Sequence, residues 1–163
     1  MGSHFWILLV ITVCVLGGAA LVWRPFSIAR RRARFAEACR DFHHQRERLE
    51  AKFVQLGATG GKADGPRWSD CFFDDDVAYA RSRSTGELSA FVAVTIEMDE
   101  FDRRSSGAPD AVGNLRSATA VFRFDGSHWE TDGRAIFNLT PTEAIHFYQR
   151  DLEMVGQELA HRG

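Results

Sequence analysis

Three side chains that could exchange protons alternate along one stretch of the chain, namely His128, Glu130 and Asp132. Residues two apart on a β-strand share a face, so an extended backbone would place these three side by side. Together with Glu97, a histidine and a carboxylate could serve as general acid and base. Glu97, His128 and Asp132 are therefore our candidate residues for a polar pocket. The same alternation is typical of the outward face of an ordinary strand, and we favour that interpretation.

Two other clusters carry the side chains of a metal site. Asp74, Asp75 and Asp76 are consecutive carboxylates, but they lack the glycine and distal glutamate of a calcium-binding loop. His43 and His44 are neighbours on a predicted helix, where side chains diverge by about 100°. Both clusters are interpreted as surface features, the first as the solvated start of a strand.

The cysteines show none of the spacings that indicate a zinc site or a redox pair. Cys14, Cys39 and Cys71 form no C-x-x-C motif, and no nucleophile-elbow, Walker, Rossmann or H-E-x-x-H pattern occurs. The sequence predicts neither a metal nor a cofactor. It leaves open whether the chain is an enzyme and favours a non-catalytic role.

An apolar run precedes all of these residues. After a short tail (residues 1–4), residues 5–23 contain no charge and as a helix would span roughly 28 Å, close to the ~30 Å of a bilayer core. Trp6 and Trp23 lie at its two edges, as expected at membrane interfaces. The pattern predicts a transmembrane helix. A cleaved signal peptide ending near Ala20 is the alternative, disfavoured because no basic residue precedes the run.

A basic segment, residues 24–34, follows this run and predicts its orientation. The positive-inside rule places the N-terminus outside and the C-terminal domain in the cytoplasm, with the lipid bilayer as a partner. An extracytoplasmic domain is the alternative. The predicted membrane-interface residues are Trp6, Trp23, Arg24, Arg30, Arg31, Arg32 and Arg34.

The charge of the remaining chain argues against nucleic acid as a partner. The whole chain has 20 basic and 22 acidic residues. Removing the five arginines of residues 24–34 leaves 15 basic and 22 acidic side chains, a net charge of −7. An acidic body of this kind repels a phosphate backbone.

Residues 35–163 are predicted to form a single α+β domain. Apolar residues at helical spacing, among them Phe42, Leu49 and Phe53, predict a helix over 30–56 that packs on the domain's own sheet. A homodimeric coiled coil is the alternative. A glycine-rich linker, residues 57–66, follows the helix.

The sheet is predicted over residues 77–137 as four antiparallel strands, 77–83, 88–98, 115–124 and 128–137. Turn signals at Gly86 and at Asp125-Gly126 join them in pairs, and a polar loop, residues 99–113, separates the pairs. The alternating Val92, Val94 and Ile96, with Ala118 to Phe124 on the next strand, should line the core.

A capping box, Thr140-Pro141-Thr142-Glu143, predicts a C-terminal helix over 141–160. A helix on a curved four-stranded sheet resembles cystatin-like and NTF2-like domains in architecture only, because no motif of either family is present, and fold analogy assigns no function.

The predicted function is that of a membrane-anchored protein-interaction or assembly module whose partner is another protein or a second copy. The alternative is a ligand-binding or enzymatic domain with a pocket between helix and sheet. Aromatic residues outside the predicted core could form a partner surface or lie buried under the long loop. They are Phe72, Phe73, Phe91 and Phe101.

Overall fold

A computed structural model of the 163-residue chain describes residues 3–59, 68–98 and 115–159. The chain comprises two compact units, Met1–Asp41 and Phe42–Gly163. Its class is α+β. In chain order the described elements are α1 (Ser3–Ala58), β1 (Trp68–Ser82), β2 (Leu88–Met98), β3 (Leu115–Phe124), β4 (Trp129–Glu130), β5 (Ala135–Phe137), α2 (Pro141–Phe147) and β6 (Leu152–Glu158).

The described part of the first unit is helical and belongs to α1, a helix of 56 residues. Among the residues that the structure describes, no helix has a stretch long and apolar enough to cross a membrane. This finding contradicts the predicted transmembrane helix over 5–23. The apolar run is instead the first part of a longer helix that continues through the arginine-rich segment to Ala58. The single-pass topology and the cytoplasmic location are withdrawn too, because both depend on that span.

The predicted membrane-interface residues share one helix. Trp6 is 67% exposed, and Arg30, Arg31, Arg32 and Arg34 are exposed as well. The side chains of Trp23 and Arg24 lie outside those described. The interface role predicted for this set is withdrawn together with the span.

In the described residues of the second unit, six antiparallel strands form an open sheet in the order β4-β3-β2-β1-β6, with β5 paired to β3 beside β4. The predicted curved sheet of four strands is wrong, and the cystatin-like and NTF2-like analogy is dropped with it. Two extra strands account for the difference. Gly133, in the left-handed region at φ +76°, divides the predicted strand 128–137 into β4 and β5, and the C-terminal segment adds β6.

One face of the sheet packs on the part of α1 that belongs to this unit. β2 and β3 have the predicted bounds, and Val92, Val94 and Ile96 are buried as predicted. Phe42 of α1 is fully buried, with its ring centroid 5.5 Å from that of Phe122. Over residues 42–56 the helix therefore packs on the sheet of its own domain.

The opposite face carries a smaller core. Ala78, Ala80 and Phe91 pack there with Ala144 and Ile145 of α2. Small alanine side chains let a short helix approach the sheet closely. Phe91 is therefore buried in this core and is not part of an exposed surface.

The C-terminal segment begins as predicted and then departs from the prediction. The capping box is present, since the Thr140 side chain accepts from Glu143 N and the Glu143 side chain accepts from Thr140 N. The helix ends at Phe147, where Gln149 N donates to His146 O (3.2 Å) in a tighter turn, and Asp151 N then donates to Tyr148 O (2.9 Å) as the chain turns back. The predicted helix over 141–160 is wrong, and its second half is β6, paired with β1.

The last turn of α1 lies close to the start of β1. Gly57 is buried, and a Cβ atom there would lie 1.7 Å from Cε3 of Trp68, so only glycine fits. Residues 60–66 of the predicted linker and the whole predicted loop 99–113 lie outside the described residues.

Candidate functional site

The three predicted pocket residues lie apart. Glu97 is half-buried near the end of β2, opposite Leu115, the first residue of β3. His128 is exposed in the turn after Phe124, the last residue of β3. A ten-residue strand spans roughly 30 Å. Glu97 and His128 therefore cannot act on one substrate atom.

His128 and Asp132 each belong to a local surface contact. His128 Nδ1 lies 2.9 Å from Asp125 Oδ2, and Arg123 donates to Asp132 Oδ2 at 2.5 Å. The backbone N–H groups of His128 and Ser127 donate to Asp125 and lower the pKa of its carboxyl group to about 2. Asp125 thus stabilises the β3–β4 turn, where the predicted hairpin is confirmed by the hydrogen bond from Asp125 N to His128 O.

The consecutive aspartates form an irregularity within β1. The pairing of β1 with β2 shifts between Phe73 and Val77, so residues 74–76 bulge out of the ladder. Arg46 of α1 donates to the Asp74 carbonyl oxygen, and its guanidinium lies 3.6 Å from Asp75 Oδ1. Within residues 3–59, 68–98 and 115–159, no group of three His, Cys, Asp or Glu side chains could hold a metal ion. The bulge is therefore a structural feature that Arg46 supports.

The two cysteine thiols that the structure describes are poorly suited to nucleophilic chemistry. Cys39 is buried. Partial burial, and secondly the charge of Asp70, raise the pKa of the Cys71 thiol to about 11. Since the thiolate is the reactive form, Cys71 is almost entirely unreactive near neutral pH.

A cleft of about 710 Å³ opens on the sheet face that carries α2. Its lining includes Phe72, which is 57% exposed, Thr95, Ser117 and Glu143. Glu143 serves the α2 cap, and its hydrogen bonds from Thr140 N and Oγ1 lower its pKa. The described lining contains none of Glu97, His128 and Asp132. The cleft thus has polar walls, but the Glu143 carboxylate in its lining is already hydrogen-bonded in the cap of α2.

The most distinctive surface of the second unit is the outer edge of β6. Within the described residues, β6 pairs on one side with β1 and has no strand on its other side. Met154 and Val155, 41% and 36% exposed, lie on the strand, and Leu159, 65% exposed, follows it. An edge of this kind presents backbone donors and acceptors that an added strand can satisfy. We call Leu152–Leu159 the β6 edge.

β6 is fastened to the rest of the second unit by its last glutamate. The Glu158 carboxylate receives a hydrogen bond from the hydroxyl group of Tyr79 (3.4 Å) and lies 2.5 Å from His43 Nε2. Tyr79 is fully buried, and His43 is on α1. The strand is therefore held in place by side-chain contacts in addition to its backbone pairing with β1.

The sequence prediction missed β6, although a signal for it exists. Residues 152–154 alternate apolar and polar, and Val155-Gly156 combines a β-branched residue with a poor helix former. Of the predicted aromatic partner surface, Phe72 is exposed and Phe73 is half-buried against Phe53. Phe101 lies outside the described residues.

Comparison with known proteins gives no relative. No protein-family model, no curated protein and no solved structure matches the chain. The function is therefore inferred from its own residues.

Proposed function

We propose that the unit formed by residues 42–163 is a protein-interaction module that binds an extended segment of a partner along the β6 edge. The observation that supports this proposal is the outer side of β6, to which no strand is paired in the described part of the chain. Adding a strand to a free edge is a common mode of peptide recognition, in which backbone hydrogen bonds supply affinity.

The two edges of the sheet differ in a way that favours β6. At the far edge, β4 and β5 have two and three residues, and short edge strands resist pairing with other chains. β6 has seven residues and contains neither proline nor lysine, and its protection is limited to one bulge at Val155 and two glutamates. Of these two edges, β6 therefore offers a partner strand the longer template.

Apolar side chains beside the edge would add to the binding energy. Met154, Val155 and Leu159 are exposed, and each Å² of apolar surface that a partner covers contributes about 25 cal/mol. Phe147, 69% exposed at the end of α2, precedes the same segment. This combination of free backbone and apolar side chains fits an extended segment better than a small molecule.

The positions of the polar residues favour binding over catalysis. The space between α1 and the sheet in this unit is filled by apolar and aromatic side chains such as Phe42 and Phe53. Glu97 and His128 do not converge, as described above. An interaction module accordingly agrees with these positions better than an enzyme with a pocket between helix and sheet.

Site-specific crosslinking of the full chain in the cells that produce it tests the proposal. A photoreactive amino acid at Gln157, which is exposed on β6, should give a discrete adduct with another protein. Val155→Lys in the same chain should abolish this adduct, because lysine on an edge opposes strand addition. The same photoreactive residue at Thr142, exposed on α2, is the control and should give none.

Three results would contradict the proposal: no adduct from position 157, an adduct that persists in Val155→Lys, or the same adduct from position 142. Thermal unfolding of Val155→Lys identifies a misfolded variant, and Val155→Glu then serves as the second edge-blocking change.

A further inference from the structure

We infer that the occupant of the β6 edge is a basic extended segment of another protein, with Lys or Arg at positions i and i+4, rather than a second copy of this chain. This inference rests on the proposed function and names the chemistry of the partner. It follows from the pairing register of β6 and from the places of its two glutamates.

The register assigns each residue of β6 to a face of the sheet. Glu153 pairs with Arg81 and Glu158 pairs with Val77, whereas Met154 pairs with Ala80. Directly paired residues share a face, and faces alternate along a strand. Arg81 and Val77 are an even number of residues apart, so Glu153 and Glu158 share one face and Met154 lies on the other.

The irregularity in β6 makes this possible. Glu153 and Glu158 are five residues apart, so they would lie on opposite faces of a regular strand. The register shifts between Tyr79 and Ala80, which pair with Gly156 and Met154, and Val155 is the additional residue. The bulge thus places both carboxylates of β6 on the face that packs on α1.

A second copy is a poor occupant of this edge. Antiparallel pairing of β6 with β6 must match residues of the same face across the contact. The register that pairs β6 over its whole length around the bulge places Glu153 opposite the second copy's Glu158, and by symmetry does so twice. Like charges directly opposite each other destabilise a strand pair. The acidic edge therefore disfavours pairing of two copies over the full length of β6.

The same geometry defines a complementary partner. We consider a partner strand in which one residue lies opposite the bulged pair Val155 and Gly156. Its positions i and i+4 then lie opposite Glu158 and Glu153, on the face that packs on α1. Positions i+1 and i+3 then face Gln157 and Met154 on the other side. Basic side chains at i and i+4, with apolar or β-branched residues between them, match both faces.

Both glutamates are accessible to such a partner. Their side chains are 61% and 44% exposed. Glu153 has Arg83 Nη1 at 3.9 Å, and Glu158 receives Tyr79 and His43 at the same oxygen, Oε2. Among the described residues, the hydrogen bonds and the ion pair of Glu158 all involve Oε2, so Oε1 is available to a cation. Exposed ion pairs such as Arg83–Glu153 contribute little and are readily exchanged.

A fluorescent probe peptide, acetyl-Ser-Lys-Val-Thr-Val-Lys-Ser-amide, tests the inference by anisotropy titration with the full chain. The matched control replaces both lysines of the peptide with glutamate. We expect the lysine peptide to bind roughly tenfold more tightly, since two cross-strand charge pairs change sign, and to weaken as salt is raised. Glu153→Lys should reduce this preference, whereas Glu130→Lys on β4 at the far edge should leave it unchanged.

Equal affinities for the two peptides, no binding of either, or equal effects of Glu153→Lys and Glu130→Lys would overturn the inference. So would a dimer, seen by analytical ultracentrifugation, that Val155→Lys dissociates. The crosslinking experiment separates the two levels. If position 157 gives an adduct but the two peptides bind equally well, the interaction site stands and only the basic character of the partner is wrong. If position 157 gives no adduct, the proposed function itself is wrong.

Discussion

Replacing Phe42 with alanine tests whether the C-terminal part of α1 belongs to the core that supports the β6 edge. Phe42 is fully buried, and its ring centroid lies 5.0, 5.5 and 6.1 Å from those of Trp129, Phe122 and Tyr79. Truncating a buried phenylalanine removes the transfer free energy of the ring and leaves a cavity, at a total of about 3–5 kcal/mol. We expect Phe42→Ala to lower the free energy of unfolding by about 4 kcal/mol, a large share of the 5–15 kcal/mol typical of a domain.

Urea unfolding followed by tryptophan fluorescence measures this loss. With an m-value near 2 kcal/mol/M, the unfolding midpoint should fall by about 2 M. His44→Ala is the matched control, because His44 lies two residues away on the same helix and is exposed. It should change the stability by less than about 0.5 kcal/mol. A loss below about 1 kcal/mol for Phe42→Ala, or a wild-type midpoint that rises with protein concentration, would refute the packing of α1 on the sheet in favour of the coiled coil.

Two further variants test the contact between the last turn of α1 and β1, and the β3–β4 turn. Gly57→Ala places a Cβ atom 1.7 Å from the Trp68 ring and should cost about 3 kcal/mol in urea unfolding. Gly86→Ala, whose Cβ would meet no atom within 4 Å but whose φ of +75° strains any residue with a Cβ, should cost about 1–2 kcal/mol, and a loss equal to that of Gly57→Ala would contradict the close contact. The Asp125 pKa is lowered from 3.8 to about 2, so its ionised form stabilises the fold above pH 3.8, and this contribution is lost as the pH falls toward 2. Asp125→Asn should lower the thermal midpoint at neutral pH. Between pH 3.8 and 2 the midpoint of this variant should fall less than that of the wild type. The same fall in both proteins would argue against the role of Asp125 in the turn.

The predictions that the structure confirms rest on signals contained within a few residues. The Thr140–Glu143 capping box closes on itself through the two reciprocal contacts that its sequence implies. Asp125-Gly126 forms the predicted turn, with Gly126 at φ +102°. The alternation of Val92, Val94 and Ile96 gives the buried face of β2 directly. In each case the energy that decides the conformation comes from neighbouring residues.

The first half of β1 was missed because its support is distant in sequence. Three consecutive carboxylates break the apolar alternation that predicts a strand. The structure accommodates them in a bulge whose Asp74 carbonyl accepts from Arg46, a residue of the preceding helix. No local pattern shows that an arginine 28 residues earlier supports this bulge.

The predicted transmembrane helix is wrong for a different reason, and the candidates of the disfavoured pocket lie apart. Absence of charge over residues 5–23 predicts a span, but among the described residues no stretch of α1 is long and apolar enough to cross a membrane. Glu97 and His128 were grouped by chemical type alone, and the register of β2 and β3 places them at opposite ends of the sheet. Separation along a paired strand depends on where each hairpin turns, which residue types do not specify.

The error over residues 148–160 is connected to the function that we propose. The spacing of Ile145, Leu152, Val155 and Leu159 resembles an amphipathic helix, yet only Ile145 is fully buried. A helical pattern predicts structure because it predicts one buried face. In the native fold Val155 and Leu159 remain exposed. β6 is instead stabilised by backbone hydrogen bonds to residues 77–82 of β1, which the spacing of apolar residues does not predict. Apolar residues that are exposed beside an edge can be covered by an added strand. A basic partner strand that covers Val155 and Leu159 would also neutralise Glu153 and Glu158.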